Sequence, residues 1–339
     1  MPFVIHVGTH KTGTTTLQRF AASNRAELKN RGLWYPSYTE IGLFDHYAHH
    51  HLAFALAEEP GTKLSPSEAR RFVEYLDKNR TSEETILISA EPLYRLTLGL
   101  DPKTHKWRSS SASYWDARDQ FIAKMREAFP FDDTQILICL RRQDNFARSV
   151  YQERVKVTKF NDTFSTFLHK ERSIFDYLGQ VEAFAKHFRN IKVVTFESLV
   201  GSGDLHAAFF DLLDVDISFA ENRPVTNVSL PIEFVEFKRL LNTTRISRET
   251  ADKIGKRLLG LAQRNVLKPA RNLDWLPFEH MASFQGTFER DNERLRQRFA
   301  PMLPSPLFQP PESEKKKHFT GLRPKRAIQI AQLFMDLSS

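Results

Sequence analysis

Lys11 lies in a short segment whose residue types are suited to binding an anion. The apolar run Phe3-Val4-Ile5-His6-Val7 breaks at Gly8 and continues as Thr9-His10-Lys11-Thr12-Gly13-Thr14-Thr15-Thr16. A glycine-containing turn between a strand and a helix lets consecutive N–H groups and the positive helix N-terminus point at one anion. Lys11 adds a positive charge, and the threonines add hydroxyl donors. The sequence therefore predicts a strand, a phosphate-binding loop and a helix in succession.

The spacing of this loop matches a nucleotide-binding P-loop only in part. Gly8 and Gly13 have the Gly-x4-Gly spacing of that motif, but Thr14 stands where the motif requires Lys. Lys11 instead precedes the second glycine by two residues. The displaced position of the lysine argues against an ordinary ATP site. A Mg-ATP-dependent P-loop kinase or NTPase is the alternative function.

The run His-Lys-Thr-Gly-Thr-Thr after a first strand resembles the 5′-phosphosulfate-binding loop of the PAPS-dependent sulfotransferases, especially bacterial members of that family. PAPS is 3′-phosphoadenosine 5′-phosphosulfate, and adenosine 3′,5′-bisphosphate is its product. The resemblance implies that Lys11 is the catalytic lysine, contacting the oxygen between phosphate and sulfate. It also implies that donor binding involves His10, Lys11, Thr12, Gly13, Thr14, Thr15 and Thr16.

A second segment, Leu140-Arg141-Arg142-Gln143-Asp144-Asn145-Phe146-Ala147-Arg148-Ser149, resembles the 3′-phosphate-binding motif of the same family. There an Arg leaves a strand and a Ser lies on the following helix. The resemblance therefore assigns Arg141 and Ser149 to the 3′-phosphate, with Arg142 as the alternative arginine. The planar guanidinium suits this role because it can donate two parallel hydrogen bonds. The run Thr195-Phe196-Glu197-Ser198-Leu199 resembles a further strand end of the family, to which we assign a structural role.

Sulfuryl transfer to a hydroxyl also requires a general base. Glu91 is the first candidate, because it follows the strand Thr85 to Ala90, which we expect to neighbour the first strand. His50 is the second, within the cluster Asp45-His46-Tyr47-Ala48-His49-His50-His51. Members of the family use either His or Glu here, so both candidates remain open. A shared helical face for His46 and His50 would also permit a metal, but we predict no metal site.

The strands and helices alternate through the first two hundred residues. Strands are predicted over Phe3 to Val7, Thr85 to Ala90, Gln135 to Leu140 and Ile191 to Phe196, with a helix over residues 14–29 and another opened by Ser65. Near-continuous apolar strands separated by helices indicate a parallel sheet covered on both faces. The predicted fold is thus a P-loop NTPase-like three-layer α/β/α arrangement.

Residues 1–214 are predicted to form the α/β donor-binding core and residues 215–339 a mainly helical section packed on it, although a single large domain is the alternative. The C-terminal section is predicted from amphipathic helices over Glu233 to Leu241, Glu249 to Leu261 and Glu289 to Phe299.

The composition agrees with an intracellular enzyme that binds an anionic ligand. The chain has 339 residues, a formal net charge of +8 and a single cysteine, Cys139, in an apolar run. We expect Cys139 to be a buried small hydrophobe. We predict a cytoplasmic protein because neither a signal peptide nor a membrane span is recognisable. Zinc-finger and RRM signatures are not found, so no nucleic-acid partner is predicted.

Together these residues predict transfer of a sulfuryl group from PAPS to a hydroxyl or amine of a glycan, lipid or small-molecule acceptor. The sequence does not select among these acceptors or indicate an oligomeric state.

Overall fold

A computed structural model describes residues 2–9, 12–59, 62–98, 111–220, 230–264, 272–310 and 316–336. Backbone contacts group the chain into two units. Unit 1 contains residues 1–142, 173–226 and 289–308, and unit 2 contains residues 143–172, 227–288 and 309–339. The division into a core of residues 1–214 and a mainly helical section of residues 215–339 packed on it stays a prediction.

Unit 1 is built on a five-stranded parallel sheet with the strand order β2-β3-β1-β4-β5. Its strands are β1 (Phe3–Gly8), β2 (Leu33–Trp34), β3 (Thr85–Ser89), β4 (Gln135–Leu140) and β5 (Asn190–Thr195). The predicted neighbour relation is confirmed, because β3 pairs with β1. We call the edge at which β1, β3, β4 and β5 end the carboxyl edge. Ligands of open parallel sheets bind beyond this edge.

Helices cover both faces of this sheet. They are α1 (Thr14–Ser23), α2 (Arg25–Asn30), α3 (His50–Leu56), α4 (Pro66–Asn79), α5 (Ser111–Ala128), α8 (Tyr177–Ala185), α9 (Phe196–Gly201), α10 (Leu205–Asp211) and α14 (Glu289–Phe299). On one face, apolar residues of α1 and α10 pack against alternate residues of β1, β3, β4 and β5. On the other face, α8 packs against β4 and β5. The predicted three-layer α/β/α architecture is confirmed.

The chain between β1 and β2 differs from the prediction. The expected helix over residues 14–29 breaks at Asn24, whose φ of −121° and ψ of 23° are not helical. Its side-chain amide donates to the Phe20 carbonyl at 2.8 Å, which satisfies a free carbonyl near the end of α1. Two short helices therefore stand where one was predicted.

The N-terminus of α4 follows the prediction. Ser65 accepts a hydrogen bond from the Glu68 N–H, and Glu68 accepts one from the Ser65 N–H, which makes a complete capping box. Cys139 is 1% exposed, as expected of a small core hydrophobe. Burial raises the pKa of its thiol to about 12, so the thiol stays protonated.

Unit 2 consists of helices and a two-stranded parallel sheet. Its elements are α6 (Gln143–Val157), α7 (Phe164–Lys170), α11 (Ile232–Asn242), α12 (Arg248–Gln263), β6 (Leu273–Asp274), α13 (Phe278–Gly286), β7 (Lys317–His318) and α15 (Pro324–Asp336). Arg148 on α6 makes ion pairs with Asp144 at 2.7 Å and Asp274 at 2.6 Å. The pair with Asp274 joins α6 to β6 within the unit.

Across the described ranges, no helix combines the length and the apolar character needed to cross a bilayer.

Candidate functional site

The loop after β1 is tied to the sheet and to the start of α1 by short hydrogen bonds. The Thr9 N–H donates to the Cys139 carbonyl of β4 at 2.9 Å, and the Thr12 hydroxyl donates to the Thr9 carbonyl at 2.8 Å. Gly13 precedes α1 with a φ of +73°, a conformation that favours glycine. A Cβ there would also lie 2.4 Å from Leu205 Cδ2. The backbone conformation therefore favours glycine here, and an added Cβ would require the Leu205 side chain to shift.

The first turn of α1 carries the predicted hydroxyl donors. Thr12, Thr14 and Thr16 are buried, and Thr15 is half-buried. Among the described residues, Thr16 Oγ1 has no hydrogen-bond partner. The first N–H groups of a helix have no acceptor within it, and the helix dipole makes that end positive. The N-terminus of α1 therefore offers donors suited to an anion, and donor binding there stays a prediction. His10 and Lys11 lie outside the described residues, so their roles stay predictions.

Both candidate bases, Glu91 and His50, belong to one hydrogen-bonded group. Glu91 begins the 3-10 helix Glu91–Tyr94 after β3, and His50 begins α3. His50 Nε2 lies 2.6 Å from Glu91 Oε2, so a proton between them joins the two side chains. The Glu91 side chain is 10% exposed and that of His50 19% exposed. The two candidates, treated as alternatives from the sequence, form a single hydrogen-bonded pair, and their role as bases stays a prediction.

A third residue, Gln18, connects this pair to α1. Its Nε2 donates to Glu91 Oε2 at 2.9 Å and also lies 3.1 Å from Ser89 Oγ. Gln18 follows Thr14 by one helical turn, so α1 carries threonines of the anion-binding loop and a hydrogen-bond donor to Glu91. Neither Gln18 nor Ser89 was singled out from the sequence, although a polar residue ending the apolar strand β3 is a signal of a buried polar contact.

His6 lies beneath the same group, in the middle of β1. Its Nδ1 is 2.9 Å from Ser89 Oγ, while its Nε2 is buried with no hydrogen-bond partner in the part of the chain that the structure describes. Burial lowers the pKa of His6 to about 4, and the nearby Glu91 charge opposes this only in part. His6 is therefore neutral at neutral pH.

The other histidines of the cluster do not form the helical face that was considered from the sequence. His46 precedes α3, so His46 and His50 do not share a helical face. His46 Nδ1 lies 2.8 Å from the Ala48 carbonyl. His49 is held in one neutral tautomer: its Nδ1 accepts the Ser89 N–H and its Nε2 lies 3.0 Å from the Pro36 carbonyl. Among the described residues, no group of three or more His, Cys, Asp or Glu side chains is arranged to hold a metal ion.

At the end of β4, the backbone around Arg141 and Arg142 is fixed by side chains from unit 1. The Tyr177 hydroxyl donates to the Arg141 carbonyl, and the Arg142 N–H donates to Glu197 Oε1 at 3.0 Å. The Arg141 guanidinium lies 5.2 Å from the centre of the Phe196 ring. Burial raises the pKa of Glu197. The structural role assigned to Glu197 from the sequence fits this contact.

Ser149 lies on α6, in unit 2. Its predicted convergence with Arg141 on one phosphate stays a prediction.

Comparisons with known proteins give no family assignment. No family model matches the chain, and no curated protein matches it. Two solved structures are similar in fold. A sulfotransferase from Alicyclobacillus acidocaldarius has 17% identity and a TM-score of 0.40, covering 78% of this chain and 97% of that one. A sulfotransferase domain from the curacin biosynthetic pathway has 10% identity and a TM-score of 0.38, covering 87% and 98%. At these scores neither likeness indicates what this chain does.

Proposed function

We propose that this chain is a sulfotransferase that moves a sulfuryl group from PAPS to a hydroxyl or amine of an acceptor. The observation that carries the proposal is the hydrogen-bonded group of Glu91, His50 and Gln18 at the carboxyl edge. It gives a proton acceptor connected through α1 to an anion-binding loop, the two functions that direct sulfuryl transfer needs. The sequence resemblance of residues 10–16 supplies the identity of the donor.

The residues of the loop fit the donor. The N-terminus of α1 offers N–H donors to its 5′-phosphosulfate. Lys11 is proposed to neutralise charge on the leaving phosphate oxygen, and Arg141 with Ser149 to bind the 3′-phosphate. His10, Thr12, Gly13, Thr14 and Thr15 complete the proposed donor site.

The proposed reaction is a single displacement. Glu91, hydrogen-bonded to His50, accepts the proton of the acceptor hydroxyl as the acceptor oxygen bonds to sulfur. The bond from sulfur to the bridging oxygen breaks, and the phosphate leaves with the negative charge. Loss of one preorganised donor to such an oxygen typically costs about 10²–10³ in rate.

The alternative, a Mg-ATP-dependent kinase or NTPase, needs a carboxylate that coordinates Mg²⁺. Oε2 of Glu91 instead lies within hydrogen-bond distance of Gln18 Nε2 at 2.9 Å and of His50 Nε2 at 2.6 Å. A carboxylate oxygen that already has these two hydrogen-bond neighbours is poorly placed to coordinate Mg²⁺ as well. This contact favours the sulfotransferase proposal.

A turnover assay tests the function. Purified protein is incubated with PAPS and a panel of phenol, sugar, lipid and amine acceptors in the presence of EDTA, and adenosine 3′,5′-bisphosphate is measured. We expect acceptor-dependent release in the wild type and its loss in Lys11→Ala. Release that requires Mg²⁺ and uses ATP instead of PAPS would support the kinase. The carbohydrate class of acceptor and a cytoplasmic location remain part of the proposal.

A further inference from the structure

Gln18 is held at the centre of the buried polar group. It is 1% exposed, and its Nε2 has three acceptors: Glu91 Oε2 at 2.9 Å, Ser89 Oγ at 3.1 Å and the Ser89 carbonyl at 3.3 Å. The orientation of the amide follows from this set, because an amide oxygen turned towards the Glu91 carboxylate would be repelled.

The orientation has an energetic cost. Oε1 of Gln18 is buried, and no described residue is a hydrogen-bond partner for it. An unsatisfied buried acceptor typically costs about 1–3 kcal/mol. The hydrogen bonds that its N–H groups donate therefore offset the cost of burying the side chain. The shortest of these hydrogen bonds is to Glu91.

We propose that Gln18 is the positioning residue of the general base. On this account, which rests on the proposed function, α1 binds the donor through its first turn and fixes the Glu91 carboxylate through its second. The hydrogen bond from Gln18 stabilises the ionised carboxylate, the form that accepts a proton. Gln18 touches neither donor nor acceptor.

The test compares Gln18→Met with wild type, because methionine has nearly the same length and no N–H group. We expect kcat to fall about 10- to 100-fold, the range for a lost hydrogen bond to a charged group. KM for PAPS and the affinity for adenosine 3′,5′-bisphosphate should change by about twofold or less, because the contacts to the donor are retained. The acid limb of the pH–rate profile should move to higher pH, since the carboxylate is easier to protonate without its donor.

Gln18→Glu is the second variant. It places a carboxyl group beside Glu91, and two adjacent carboxylates resist joint ionisation. The acid limb should move further than in Gln18→Met. This shift is a readout that a merely structural role would not produce, so partial loss of stability in either variant does not confuse the result.

Gln297→Met is the matched control. Gln297 on α14 also donates from Nε2 to a glutamate, Glu293 Oε1 at 3.1 Å, but on an exposed surface. Its kcat and pH profile should equal those of wild type. An active wild type whose Gln18→Met variant keeps kcat and the acid limb would overturn this inference alone. A wild type that neither binds the bisphosphate nor turns over PAPS would overturn the proposed function and this inference with it.

Discussion

Glu91 and His50 are bridged by a 2.6 Å hydrogen bond, so the loss of either should disturb the same proton transfer. We expect Glu91→Gln to lower kcat about 10²–10⁴-fold, the usual contribution of a general base. Bisphosphate binding should be unchanged. Glu83→Gln, an exposed glutamate before β3, is the control and should behave as wild type.

The pairing also predicts non-additivity. If the two side chains act as a unit, His50→Gln in the Glu91→Gln background should lower kcat much less than His50→Gln does alone. Steady-state kinetics of the four proteins measure this coupling. Independent, multiplying effects would show that the two side chains do not act as a unit.

Among the secondary-structure elements, the turn into α1 shapes the proposed donor site. Gly13→Ala forces an alanine into φ +73° and brings its Cβ to 2.4 Å from Leu205 Cδ2. Gly42 is the matched control, because its φ is +77° with nothing within 4 Å of an added Cβ. Gly42→Ala should destabilise by about 1–2 kcal/mol from backbone strain alone. Gly13→Ala should lower the free energy of unfolding, measured in urea, by more than Gly42→Ala does. It should also weaken bisphosphate binding.

A second substitution separates the two causes. Leu205→Ala in the Gly13→Ala background should recover the part due to the clash and leave the backbone strain. Equal stability losses in Gly13→Ala and Gly42→Ala would mean that α10 does not constrain the loop.

The element order was predictable because its signals are local. Apolar runs fix β1, β3, β4 and β5 to within one or two residues, and the capping box at Ser65 places α4. The break at Asn24 was missed because it depends on one side chain bonding to the Phe20 carbonyl. Gln18 was missed because a lone glutamine on an amphipathic helix carries no signal until β3 is placed beside β1.

For the molecule as a whole, the parallel sheet explains why residues far apart in sequence meet. The ends of β1 and β3 are neighbours, so the loop after β1 and Glu91 after β3 lie at one edge. The predicted role of Glu91 required only this neighbour relation. The participation of His50 required the path of the chain from β2 to α3, which no sequence pattern indicated.

Buried neutral histidines should make unit 1 sensitive to acid. Burial lowers the pKa of His49 to about 3, below its ordinary 6.5, so the unfolded state binds more protons between these values. Stability contributed by His49 is therefore complete above pH 6.5 and is lost as the pH falls towards 3. Between pH 7 and pH 5 the loss is about 2 kcal/mol.

His49→Gln should remove this loss. Urea unfolding of wild type and variant at pH 7 and pH 5 gives the difference, and the wild type should lose about 2 kcal/mol more stability than the variant. Equal losses would show that His49 is not held in its neutral form.

The central claim is that the loop after β1 binds a sulfuryl-donor nucleotide and not Mg-ATP. Calorimetric titration with adenosine 3′,5′-bisphosphate in EDTA, beside ATP with Mg²⁺, measures this directly. We predict metal-independent bisphosphate binding, weakened strongly in Arg141→Ala and in Lys11→Ala, with ATP bound poorly. No heat from the bisphosphate, together with ATP binding that depends on Mg²⁺, would contradict the account.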